Sequence, residues 1–161
     1  MTQLKTLKVT AAVATAAFVA AGAVSASPRV EGPRTLTLVS VQKQFTTVPP
    51  ISKASPPQIG GRLIFNDVLY NQGAQFGKPS GARVGTADNI CTLVSNTALQ
   101  CTLVAHVPNG ALIVTGSIAL NSKVTNLAVT GGVGAYAGAH GSATGRDVTQ
   151  EKTMVVVHLT S

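Results

Sequence analysis

The sequence predicts an all-β protein, an eight-stranded antiparallel β-barrel, and three observations carry that prediction. Short stretches rich in Val, Ile, Leu and Thr recur along the chain, each closed by Gly, Pro or Asn. No stretch after residue 26 has the apolar spacing of an amphipathic helix of useful length. Of 161 residues, 45% are hydrophobic and only 11% charged, with 16 Gly and 8 Pro, which excludes an ordinary disordered chain. Strands joined by turns, with no helix to cover them, bury their apolar faces as a sandwich or a barrel. The barrel is favoured because closure removes the open strand edges that so weakly charged a surface would leave free to associate.

The elements follow in order. Lys5 and Lys8 precede an apolar run over 9–24, and Val24, Ser25 and Ala26 supply small residues for cleavage, so 1–26 reads as a secretory signal peptide. The run has about 16 residues where a membrane span needs roughly 20, which disfavours an anchor. Its removal takes away two lysines and no acid, lowering the formal charge from +7 to +5. Residues 27–34, with two prolines, form a flexible leader, and 35–161 form the single barrel domain.

The first strand, 35–46, places Leu36, Leu38, Ser40 and Gln42 on one face and Val39, Val41 and Phe45 on the other. Four prolines over 48–57 remove donors and fix φ, so a long loop follows. A second strand covers 61–67, and a Gly- and Pro-containing loop covers 71–81. Strands 83–94 and 99–107 make a hairpin about Asn96 and Thr97, and Pro108-Asn109-Gly110 turns the chain into 112–120. Strands over 123–130, 138–148 and 152–160 complete the eight, with the glycine-rich stretch 130–137 between two of them read as a tight turn and Tyr136 capping the core.

Several function classes are excluded on the residues. The basic side chains after residue 26 are scattered singly with no interleaved aromatics, which leaves neither a phosphate-tracking stripe nor a stacking platform, so nucleic acid is not a partner. Gly132, Gly134 and Ala137 have dinucleotide-like spacing but no helix behind them to hold a pyrophosphate, and no cofactor is expected. His106, His140 and His158 lack ligand spacing, which argues against a metal. No Gly-x-Ser-x-Gly elbow supports a hydrolase triad. Cys91 and Cys101 fall on consecutive strands of a hairpin in an exported chain; a disulfide is the first expectation, with a pocket thiol at Cys91 as the alternative.

Three stretches in this order, GRLIFNDVLY at 61–70, RVGTADNIC at 83–91 and LAVTGGVGAYAG at 127–138, resemble successive motifs of the allene oxide cyclase and dirigent barrel superfamily. With the closing strand the resemblance covers about residues 35–160, and it implies a calycin-type eight-stranded antiparallel barrel. In allene oxide cyclases a hydrophobic cavity folds a fatty-acid epoxide for ring closure, helped by a glutamate, an asparagine, a cysteine and a tyrosine. Here the cysteine matches Cys91, the asparagine position falls on Asp67, the tyrosine position near Ile118 and the glutamate position near Ser40. Those departures point away from jasmonate-type chemistry.

Asp67 matches better the aspartate that dirigent proteins use toward an activated intermediate, so it is the candidate catalytic acid or base; the alternative is a turn residue at a strand end. The resemblance implies ligand contacts from Ser40, Phe65, Asp67, Cys91 and Ile118. The expectation is a secreted barrel that binds a small apolar molecule, or else an isomerase or dirigent-like catalyst guiding ring closure. A homo-oligomer is compatible with either. With only 4% aromatic residues the pocket suits aliphatic or terpenoid-like guests better than stacked phenolic rings. The Ala-rich leader and the absence of Asn-x-Ser/Thr after residue 26 point to a bacterial source.

Overall fold

Alternation governs the strand that opens the barrel. In a computed structural model that describes residues 34–52 and 56–160, Leu36, Leu38 and Ser40 on β1 (Thr35–Val48) are buried, while the residues between them are half-exposed. The remaining strands are β2 (Arg62–Asn71), β3 (Arg83–Ser95), β4 (Ala98–Val107), β5 (Gly110–Ala119), β6 (Val124–Gly134), β7 (His140–Asp147) and β8 (Lys152–Thr160). Each pairs antiparallel with the next, and β8 pairs back onto β1 from Thr35↔His158 to Val41↔Lys152. The closed eight-stranded barrel of the sequence prediction is therefore what forms. The predicted signal peptide and all but Arg34 of the leader lie outside the described residues.

Two details differ from the sequence reading. A bulge between Gln42 and Gln44 inserts a residue into β1 and reverses its phase, so Phe45 registers with Phe65 and shares its face rather than that of Val39 and Val41. The glycines at 131–134 are not a turn. They extend β6 and pair with β5 from Ile113↔Gly131 to Gly110↔Gly134, leaving only 135–139 to reverse the chain. Glycine is required there by close approach: a Cβ on Gly132 would lie 2.4 Å from the Tyr136 carbonyl oxygen, and one on Gly134 (φ +65°) 2.3 Å from that of Asn109.

Simple up-and-down order puts alternate turns at opposite ends. At one end the turn after β6 folds Tyr136 inward, 1% exposed, onto a cluster that includes Leu36, Val84, Leu112 and Leu159. Phe76, from the β2–β3 loop, packs on the same cluster. That loop is tied down by Asn71, whose Nδ2 donates to the carbonyls of Gln75, Lys78 and Pro79, and by Gln75, which exchanges two hydrogen bonds with the backbone of Thr37. This end is a plug. A second cluster of Cys91, Leu93, Leu99 and Cys101 lies toward the other end, packed by Leu63, Phe65, Leu103 and Ile118.

Candidate functional site

Between the two clusters the barrel is hollow. Its interior holds a cavity of about 330 Å³ whose wall is drawn from all eight strands. Exposed Leu120, Ser122, Asp147 and Gln150, from the turns and strand ends opposite the Tyr136 plug, form the mouth. At the ~0.74 packing density of protein interiors this volume holds about 240 Å³ of guest, on the order of a dozen heavy atoms.

The wall has two characters. Leu99, Leu103, Leu112, Val114, Ile118 and Leu127, from β4 to β6, make one side mostly aliphatic, with Thr125 its polar member on those strands. Facing it, a polar belt crosses five neighbouring strands in the order β7, β8, β1, β2, β3: Asp147, Thr153, Ser40, Asp67 and Asn89. Thr153 Oγ1 donates to Asp147 Oδ1 at 3.0 Å, and Thr153 registers opposite Ser40. Ser40 Oγ donates to Asp67 Oδ2 at 2.7 Å, and Asn89 Nδ2 donates to the same oxygen at 3.2 Å and to the Phe65 carbonyl, also at 3.2 Å.

Asp67 sits mid-strand in β2, not at a strand end, which overturns the turn-residue alternative. The pleat sends it inward because Phe65, Asp67 and Leu69 occupy one face, while Asn66 points outward and donates to Asp88. Burial pushes its carboxyl above the ordinary 3.8, and the bonds from Ser40 and Asn89 pull the other way without cancelling the rise. Both those bonds go to Oδ2. Oδ1 is buried with no hydrogen-bond partner among the described residues, as is Oδ1 of Asn89, a side chain only 1% exposed.

The other sequence-predicted contacts also reach the cavity: Ser40, Phe65, Cys91 and Ile118 all line it. Cys91 is at once a wall residue and half of a disulfide, since it registers with Cys101, their Cα atoms are 4.0 Å apart and the sulfurs are bonded. The pocket-thiol alternative is thereby corrected: Cys91 lines the cavity, but not as a thiol. Asn89, Asp147 and Thr153 escaped the sequence reading. Their signal was alternation itself, because each falls in phase with buried neighbours, Ala87 and Cys91 around Asn89 and Ala143 and Gly145 before Asp147.

No protein-family model matches the sequence, and no curated protein matches it. Solved structures do. A pyocyanin demethylase superposes with a TM-score of 0.62 at 25% identity, over 78% of this chain and 99% of its own. An exo-specific intermolecular Diels-Alderase gives 0.59 at 13% identity (78% and 96%), and a pterocarpan synthase dirigent protein 0.57 at 19% (78% and 81%). The chain has the fold of the barrel cyclase and dirigent superfamily, as the three sequence motifs implied.

Proposed function

We propose that this chain is an exported barrel that takes a small, largely apolar molecule into its interior. The observation that carries the reading is the cavity of about 330 Å³, lined by aliphatic side chains and held open inside a closed barrel. Close-packed interiors do not normally leave such a volume. The three similar structures are named for a demethylase, a Diels-Alderase and a pterocarpan synthase, which supports small-molecule chemistry in barrels of this shape. Export is supported by the signal-like 1–26 stretch and by the disulfide, a bond at home in oxidising compartments. Among the described residues, no helix is long and apolar enough to cross a membrane.

A second reading, catalysis of ring closure, is favoured by Asp67. Its raised carboxyl carries one oxygen anchored by Ser40 and Asn89 and one without a partner in a cavity wall, the arrangement in which a proton can pass to or from a bound guest. The aliphatic wall supplies orientation, which on its own contributes on the order of several kcal/mol to an intramolecular closure.

The binding reading is tested by titrating the full chain with an uncharged apolar fluorophore, alongside mass spectrometry of molecules that co-purify. Saturable binding in the wild type, lost in an Ala105→Phe variant that fills the cavity while keeping the β-sheet circular dichroism spectrum, is the expected outcome. A folded wild type that shows no saturable binding and carries no guest overturns it.

A further inference from the structure

The polar belt has a sense of charge and of hydrogen bonding that narrows the guest further. Two cavity-lining side chains are acidic, Asp67 and Asp147, and none is lysine, arginine or histidine. This runs against the chain as a whole, whose formal charge is +7. The cations are thus carried by side chains that do not line the cavity, and the two ionisable side chains that do line it are both acids.

The donors of the buried belt residues are engaged within it, and the further amide donors on the wall, Gln42 and Gln150, lie nearer the mouth on less buried side chains. Ser40 Oγ gives its proton to Asp67, Thr153 Oγ1 to Asp147, and Asn89 Nδ2 donates to Asp67 and the Phe65 carbonyl. What remains unpartnered and buried is a pair of acceptors, Asp67 Oδ1 and Asn89 Oδ1. A buried acceptor without a donor is costly to leave so, and a guest that brings an N–H or O–H recovers that cost. A guest carboxylate would bring more acceptors and a like charge to the same wall. When Asp67 holds a proton it adds one donor at Oδ1, and Asn89 Oδ1 and Asp147 keep their preference.

Resting on the binding reading above, we infer that the cavity selects a lipophilic amine or alcohol and excludes a lipophilic carboxylate: the polar head meets Asp67 and Asn89 from the belt side, and the hydrocarbon lies against Leu103, Leu112 and Ile118. The class is thus a donor-bearing, neutral or cationic aliphatic molecule of about a dozen heavy atoms. A free fatty acid, or an epoxide still carrying its acid, is outside it.

Four probes of one chain length separate the contributions: decylammonium, decanol, decyl methyl ether and decanoate, each titrated calorimetrically into the full chain at pH 7.5 below its micelle concentration. The expected order is amine, alcohol, ether, acid, with the amine at least about tenfold tighter than the acid because its charge meets the half-buried Asp67 carboxyl inside and passes the Asp147 carboxylate at the mouth. An Asp67→Asn, Asp147→Asn double variant should shrink that ratio by at least about fivefold. Decanoate binding as tightly as decanol, or a ratio that the double variant leaves intact, overturns the inference. Equal binding of all four overturns the selectivity and leaves the cavity-binding reading standing; binding of none removes both.

Discussion

Replacing Asp67 with Asn should make the protein more stable at neutral pH. The amide keeps the shape of the carboxyl, and its oxygen can accept both bonds now taken by Oδ2, from Ser40 at 2.7 Å and from Asn89 at 3.2 Å. The amide nitrogen then takes the place of Oδ1, a buried atom without a partner, so that the gain comes from the charge removed and not from a new bond. The substitution deletes a charge that burial disfavours. Burying a charge costs more than burying the neutral amide; because the Asp67 carboxyl is still partly solvated, the gain is small, about 1 kcal/mol, or roughly 3–5 °C in Tm for a domain of this size. The sign of its pH dependence follows from the direction of the shift. The folded state holds the Asp67 proton more tightly than the unfolded chain, so its contribution to stability is complete below the ordinary 3.8 and is lost as pH rises through the folded value. The advantage of the Asn variant is therefore greatest at pH 7 and shrinks toward nothing as pH approaches about 3–4. Thermal unfolding of both proteins at pH 7 and pH 4, with urea midpoints as a second measure, reads this directly. A variant less stable than wild type at pH 7, or a difference of the same size at both pH values, refutes the reasoning.

Other consequences follow from the same geometry. Ser40→Ala removes a bond that lowers the Asp67 carboxyl, so the titration of that group, followed by carbon NMR of the labelled side chain, moves further upward; an unchanged or lowered midpoint contradicts the hydrogen bond described. Changing Cys91 and Cys101 together to Ala releases a crosslink spanning 10 residues, and the chain-entropy argument gives about 3 kcal/mol of lost stability, visible as a lower guanidinium midpoint with the fold retained. Gly134→Ala forces a Cβ to within 2.3 Å of the Asn109 carbonyl at a φ of +65°, and a loss of about 2–4 kcal/mol in chemical unfolding is expected; a neutral outcome denies that the β5–β6 approach is rigid.

Most of the fold was legible because it is written in periodicity and punctuation, which survive without tertiary information. The hairpin about Asn96 and Thr97 and the turn at Pro108-Asn109-Gly110 form where the residue types demand them. The extra residue in β1 was not legible. A bulge is decided by how two strands coil around each other, and nothing in the stretch from Gln42 to Gln44 marks it locally. The glycines of 131–134 were misread for a related reason. Composition shows that a Cβ is unwelcome there, but only the Tyr136 plug and the β5 backbone, brought close by closure of the barrel, show that the glycines serve a close approach inside a strand.

The candidate site was half legible, and the missing half has a simple geometric cause. β2 carries the dipeptide Asn66-Asp67 and β3 the reverse, Asp88-Asn89, in register as Asn66↔Asp88. Because side chains alternate, one Asp–Asn pair must form outside the barrel and the other inside. Outside, Asn66 donates to Asp88, which also meets His106 Nε2 at 3.1 Å in water, where such a contact contributes little. Inside, Asn89 donates diagonally to Asp67, where burial raises the carboxyl and leaves two acceptors unmet. Equivalent residue pairs thus acquire opposite roles from one pleat. Reading Asp67 from the sequence found the acid, but its partner required the register, since a slip of one residue would have put Asp88 and Asn66 in the cavity instead. The chemistry of the cavity therefore rests on that register, and the disulfide between Cys91 and Cys101, two residues along β3 from Asn89, is placed to hold β3 against β4 beside it.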